Sequence, residues 1–322
     1  MSESSRLWIT WEHQVRNISM ANLLECNYVE LESKNSRIVR YLKLTRLTIQ
    51  ILRAKRYNVI FFQNPSFVLG LICAFYKKLQ PNCLVIGDFH NAALEPGKLS
   101  VFNRFICKTI DVTLVSNTNL FDAVKKMGGK PFAFPDPIPR PCGSISYSPV
   151  DAQYILFISS WAEDEPINDV LDAFIASGLW RNLYELHVTG RIKESRLARE
   201  REYYEGFGIK FLGYLSEEAY WQALAQAIFN IDLTTRNDCL VCGAYEAISV
   251  GVPVLLSNNE ASVEYFSDYA IFTDNSSEDI KNKLLFIIDN ITAIRAKTGE
   301  VKNTYIAGDS MNKEKLGQIL MQ

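Results

Sequence analysis

Short apolar runs rich in β-branched and aromatic residues alternate with helix-length stretches along almost the whole chain, and this alternation restricts the fold more than any other feature. In the first half, residues 7–11, 28–31, 59–63, 84–89 and 112–116 carry the strand signal. Between them, residues 13–25, 37–56, 67–79, 101–110 and 120–127 show helical spacing. Strands separated by helices are the mark of a parallel sheet with crossover connections. The pattern breaks over residues 135–152, PDPIPRPCGSISYSPVDA, where Pro and Ser replace apolar periodicity and a linker is expected. It then resumes with strands over residues 154–160, 185–189, 209–212 and 270–273. Helices are expected from about Pro166, over residues 217–227 behind Ser216 as N-cap, and over residues 278–294 as a closing amphipathic helix.

The expected architecture is therefore α/β, with two doubly wound, Rossmann-like domains. Residues 1–140 form the first, 141–152 the linker, and 153–322 the second, with a terminal helix returning onto the first. A chain of 322 residues is long for one domain and comfortable for two. Its net charge of −2 lacks the basic excess of a nucleic-acid binder. Residues 1–6 are polar, so no secretory leader is expected, and no apolar run reaches the ~20 residues of a spanning helix. Seven scattered cysteines fit a reducing compartment and a cytoplasmic address. Cys239 and Cys242 form a single CxxC with no further ligand nearby, and no metal is expected.

The richest stretch is 228–258, IFNIDLTTRNDCLVCGAYEAISVGVPVLLSN. An apolar strand leads through a polar loop into a short helix, which leaves through Gly251 and Pro253 into a second buried strand. Asp238 and Glu246, eight residues apart, bracket the loop and the helix start. In parallel α/β sheets ligands collect where strand ends meet helix N-termini. Small residues at the helix start, Cys242-Gly243-Ala244, would let an anion approach free backbone N–H groups, although the same residues also suit a tight helix–sheet contact. The common nucleotide and hydrolase signatures, GxGxxG, the P-loop and GxSxG, are absent.

The landmarks that remain stand in order. Phe211-Leu212-Gly213 precedes the acidic helix start Ser216-Glu217-Glu218, the acidic pair Asp238-x7-Glu246 follows, and Gly251-Val252-Pro253-Val254 closes the series. In this the chain resembles retaining glycosyltransferases of the two-Rossmann-domain GT-B class, of the family 4 type. The resemblance implies an interdomain cleft and a sugar moved from a UDP- or GDP-sugar to a glycan or lipid-linked acceptor. Neither cofactor nor metal would be needed, and the setting would be cell-surface polysaccharide or glycolipid synthesis. A sugar-nucleotide epimerase of the same fold and a degenerate, non-catalytic sugar-nucleotide binder stay open.

Carried over by position, Glu246 would grip ribose hydroxyls, Asp238 sugar hydroxyls, and the helix start the diphosphate. Tyr214 and Leu215 would meet the base largely by backbone, and His90, after the strand ending Gly87-Asp88-Phe89, would face the donor sugar with Asp88 beside it. His13 and Arg16, in the loop after the first strand, and Asp88 are acceptor-side candidates. The chain departs from the family at the cationic clamp. Where an Arg and, a few residues on, a Lys are implied, it reads Ser160-Trp161-Ala162-Glu163-Asp164-Glu165, so Ser160 holds the Arg position. Arg191 and Arg236 are the expected substitutes. One further signal is local: residues 33–87 contain no acid and ten cations, interleaved with Leu42, Leu44, Leu47 and Ile49. That composition suits a helix lying on an anionic membrane surface, here the inner face of the cell membrane, and equally a solvated outer helix.

Overall fold

The structure, a computed structural model, describes residues 5–64, 66–89, 91–94, 100–141, 143, 145, 153–237 and 239–320. It divides into two compact units, Met1–Pro137 with Gly308–Gln322, and Ile138–Ala307.

The first unit runs β1 (Arg6–Thr10), α1 (Val15–Leu23), β2 (Asn27–Glu30), α2 (Arg37–Ala54), β3 (Val59–Asn64), α3 (Phe67–Leu79), β4 (Leu84–Phe89), α4 (Asn91–Leu94), α5 (Ser100–Thr109), β5 (Val112–Val115), α6 (Phe121–Lys126) and β6 (Pro131–Ala133). Its sheet is parallel throughout, in the order β2-β1-β3-β4-β5-β6. Side chains alternate across it. Leu7, Ile9, Ile60, Phe62 and Val85 pack into one buried layer, and Trp8, Phe61, Ile86 and Leu114 into the opposite one, where Leu316 from the end of the chain joins them. Both faces being covered, the strands read as nearly continuous apolar runs. Each such burial contributes roughly 1.5–3 kcal/mol.

The second unit runs β7 (Tyr154–Phe157), α7 (Ile167–Ser177), β8 (Glu185–Thr189), α8 (Arg201–Glu205), β9 (Ile209–Gly213), α9 (Glu217–Gln226), β10 (Asn230–Asp232), α10 (Cys242–Val250), β11 (Val254–Ser257), α11 (Glu260–Phe266), β12 (Ile271–Thr273), α12 (Ser277–Asp289) and the first part of α13 (Ile291–Leu320), whose residues from Gly308 on belong to the first unit. Its six-stranded sheet is ordered β12-β11-β10-β7-β8-β9, again parallel. Ile155, Phe157, Leu186, Val188 and Ile231 fill one face. Leu156, Val254 and Leu256 fill the other.

Sheet order decides where a ligand can sit. In the first unit the chain leaves β1 for β2 on one side and returns to β3 on the other, so the reversal lies between β1 and β3. In the second unit β8 and β9 lie on one side of β7, and β10 to β12 on the other. Such reversals open a crevice at the carboxyl ends of the flanking strands, the usual ligand seat of an open α/β sheet.

Three expectations need correction. The closing helix over 278–294 is two helices: α12 ends at Asp289, Asn290 leaves helical backbone at φ −114°, and the 30-residue α13 follows. Gly299, Gly308 and Gly317 weaken the sequence signal of α13, each with open space where a Cβ would stand. α1 starts at Val15, two residues after the helical spacing begins, and takes Arg16, expected in the loop after β1, into its first turn together with Asn17. Finally, β6, α8 and α11 carried too few periodic residues to be legible, although Asn259 caps α11 by accepting from the Ser262 N–H.

Candidate functional site

At the reversal in the second unit, β10 ends in Asp232 and α10 begins at Cys242. The helix lacks a side-chain cap of its own, its N-cap residue being Val241. Its first-turn N–H groups need partners from elsewhere, and Asp232 supplies one: Gly243 N–H donates to Oδ2 at 2.9 Å. The approach requires glycine, since a Cβ at Gly243 would stand 2.4 Å from that oxygen and 2.6 Å from Ile158 Cδ1. From Gly243 to Val250 every residue of α10 is buried, and the helix stops at Gly251 in the left-handed region (φ 74°), ahead of Pro253.

Glu246 lies one turn into α10, buried, with Oε2 accepting the hydroxyl of Tyr220 from α9. Burial raises its carboxyl above the ordinary range, partly opposed by the Tyr220 bond. Asp232 is raised well above that range, first by burial and then by the nearby Glu246, with Gly243 N–H opposing and Glu165 and Asp164 adding to the rise. Tyr220 too is pushed well up, by burial first and by Glu246.

Across the crevice stands the loop after β7. Glu165 folds back over it and takes four donors: Ser159 Oγ at 2.6 Å and Trp161 N–H at 2.9 Å on Oε2, Ser160 Oγ at 2.6 Å and Ser160 N–H at 3.0 Å on Oε1. Trp161 is fully buried at φ 63°, and its indole donates to Thr189 O at 3.0 Å. Asp164 accepts the Thr234 hydroxyl at 2.7 Å and lies 3.5 Å from Arg236 Nε.

The first unit offers a polar cluster at its own reversal. Thr10 Oγ1 donates to Gln63 Oε1 at 2.7 Å, Asn17 Nδ2 reaches the same oxygen at 2.7 Å, and Gln63 donates to Gln14. Trp8 Nε1 donates to Asn17 Oδ1 at 3.1 Å. Asn64, fully buried at the end of β3, keeps Oδ1 without a hydrogen bond among the described residues. Beside this edge Trp11, Glu12, His13, Glu32, Ser33, Lys34 and Arg40 line an open cavity of about 420 Å³.

No protein-family model matches the chain, and no curated protein does. Solved structures do. Alr3699/HepE of Anabaena, crystallised with UDP, superposes with a TM-score of 0.70 at 14% identity, covering 97% of this chain and 99% of that one. A putative UDP-N-acetylglucosamine 2-epimerase from Listeria monocytogenes gives 0.65 at 14%, over 98% and 95%. An Escherichia coli structure described as trehalose-6-phosphate bound with UDP-2-fluoro glucose gives 0.70 at 8%, over 98% and 99%. The chain has the GT-B fold. At these identities the likeness reaches the fold and no further.

Within this GT-B chain the expected residues are distributed as follows. Glu246, Gly243 and Ala244 are buried together on α10, with exposed Cys242 at its start. Tyr214 is exposed and Leu215 half-buried, between β9 and the Ser216 cap of α9. Ser160 is exposed and bonded to Glu165, Arg191 is exposed on the loop after β8, and Arg236 is exposed beside Asp164. Arg16 and Asp88 come together in the first unit, as a buried pair. Nη2 lies 2.8 Å from Asp88 Oδ1, Nε lies 2.9 Å from Oδ2, and the same guanidinium contacts Asp136 and Phe134 O. His13 is exposed, 3.0 Å from Glu30. His90 and Asp238 lie outside the described residues. Sequence reasoning passed over Asp232, Glu165, Tyr220 and the Gln14–Asn17–Gln63–Asn64 cluster. The one available signal was an acid closing the apolar run Ile228-Phe229-Asn230-Ile231.

Proposed function

We propose that the chain is a retaining, metal-independent glycosyltransferase that takes a sugar from a UDP- or GDP-sugar held by the second unit. The observation carrying this reading is Glu246: a carboxylate at the sheet reversal, its Oε2 fixed by Tyr220 and its Oε1 without a hydrogen bond from the described residues. That geometry suits a pair of ribose hydroxyls, which need an oriented acceptor. Solved proteins of the same fold hold UDP or a UDP-sugar, which supports the ligand class. Departure of the diphosphate leaves positive charge at the anomeric carbon, so the site must orient the sugar and stabilise the leaving group. By resemblance His90 and Asp238 would take the sugar.

The acceptor would be a glycan or lipid-linked hydroxyl in cell-surface polysaccharide or glycolipid synthesis. Exposed Ile38, Val39 and Leu42 share the outer side of α2 with Lys43, Arg46 and Arg53, a pattern suited to peripheral attachment at an anionic membrane. Binding to neutral and anionic vesicles alike, or to neither, would sink that part.

A second reading, a non-catalytic sugar-nucleotide binder, is favoured by one observation: the carboxylate of Glu165 stands in the loop where the resemblance implies cations. Donor hydrolysis and transfer assays separate the two. The transferase reading expects turnover in the wild-type chain that drops ~100-fold or more in Glu246→Ala. No turnover in either protein, with nucleotide binding retained in the wild type, supports the binder instead.

A further inference from the structure

In the loop after β7 the hydroxyls of Ser159 and Ser160 and the N–H groups of Ser160 and Trp161 are already engaged. The two Glu165 oxygens accept four hydrogen bonds, from Ser159, Ser160 and Trp161, which fills the acceptor sites of a carboxylate. A phosphate arriving here would meet a resident anion in place of free N–H and O–H groups. The start of α10 is occupied in the same way, since Asp232 holds the Gly243 N–H. Among the cations nearby, Arg236 is paired with Asp164, and Arg196 is turned onto the Glu163 and Glu165 carbonyls at 3.4 and 3.1 Å.

The loop after β8 is built differently. Gly190 sits at φ 85°, and a Cβ there would stand 2.1 Å from Ser159 O, so the backbones of the two loops are in direct contact. Thr189 Oγ1 accepts Ser159 N–H at 3.0 Å, and the Trp161 indole closes onto Thr189 O. This contact brings the ammonium of Lys193 to 2.8 Å from Trp161 O, one residue beyond the end of the β7 loop's serine pair. Lys193 faces no carboxylate within ion-pair distance among the described residues, and neither does the exposed Arg191. Two cations without a carboxylate partner among the described residues thus stand on the loop after β8, Lys193 held on Trp161 O and Arg191 exposed to solvent.

We propose that Arg191 and Lys193, on the loop after β8, meet the phosphates of a nucleoside diphosphate, and that the loop after β7 does not. This rests on the reading of the second unit as a sugar-nucleotide site. It names Lys193 as a binding residue and moves the source of positive charge from one strand end to the next.

Calorimetric titration tests it, with uridine, UDP, guanosine and GDP against the wild-type chain, Arg191→Met, Lys193→Met and Lys193→Arg. The wild type should bind one diphosphate at least ~10-fold more tightly than its nucleoside, through charge-assisted bonds. Each Met variant should weaken the diphosphate ~10-fold and leave the nucleoside within ~2-fold, and Lys193→Arg should retain most of the preference. Unchanged diphosphate binding in both Met variants overturns the proposal, as does a parallel loss of nucleoside and diphosphate, which marks a structural role. Should Lys193→Met fail to fold, Arg191→Met alone decides, because Arg191 is exposed and its side chain makes no hydrogen bond or ion pair among the described residues. Failure of the wild type to bind any of the four ligands is a separate result, which refutes the sugar-nucleotide reading itself and the proposal with it.

Discussion

Replacing Asp232 by Asn should make the protein more stable at neutral pH, by an amount that grows with pH. Asp232 is half-buried between Gly243 N–H and Glu246, with Glu165 and Asp164 also acting on it, and its carboxyl titrates well above the ordinary range because of desolvation first and Glu246 second. An unfolded chain releases that proton near pH ~3.9. Between that value and the folded one, the folded state binds more protons than the unfolded state, so stability falls as pH rises. One proton corresponds to a limiting slope of about 1.4 kcal/mol per pH unit. For a unit the size of Ile138–Ala307 this is about 3–6 °C in Tm per pH unit. Asn keeps an oxygen for Gly243 N–H and removes the titration. His187, whose pKa burial lowers against a smaller opposing effect of Glu185, pulls the other way but is common to both proteins. The difference between wild type and variant, measured by calorimetry at pH 5, 6, 7 and 8, therefore reports Asp232 together with its coupling to Glu246 and Tyr220. Parallel stability curves, or a variant less stable than wild type at pH 8, would refute the reasoning.

Two further substitutions test the scaffold around the two sheet reversals. Arg16→Met should cost about 3–5 kcal/mol in urea unfolding, because Asp88 is left buried without its cation and Asp136 loses its partner; a loss under ~1 kcal/mol would show the ion pair to be incidental. Gly190→Ala should cost more than ~2 kcal/mol, combining left-handed strain with a Cβ 2.1 Å from the Ser159 carbonyl, and a Tm equal to wild type would contradict the contact on which the β8 loop depends.

Much of the scaffold was legible because burial on both faces of a parallel sheet writes itself as apolar runs. Val59–Asn64 and Leu84–Phe89 are such runs, and the Ser216 cap and the Gly251 stop mark helix ends by local chemistry. The three-residue β6 opens with Pro and offers no period to count. Within the site, Glu246 was legible from its spacing in a series of landmarks. Asp232, Glu165 and Lys193 were not, because what matters about them is long-range: a carboxylate that caps a helix eleven residues away, another that fills a loop, and an ammonium carried over by a glycine contact. Arg16 shows the reverse error. A polar residue after a strand suggests an exposed loop, yet α1 takes it inside to meet Asp88, 72 residues further on.

The central claim is that Glu246 holds a ribose, and removing the ribose hydroxyls tests it most directly. Calorimetry would compare the tighter-binding of UDP and GDP with its 2′,3′-dideoxy counterpart, on wild type and on Glu246→Gln. If the claim holds, wild type favours the ribose form by ~10-fold or more and the variant loses most of that preference, as expected for hydrogen bonds to a charged acceptor. Equal preference in both proteins, or none in the wild type, would contradict it.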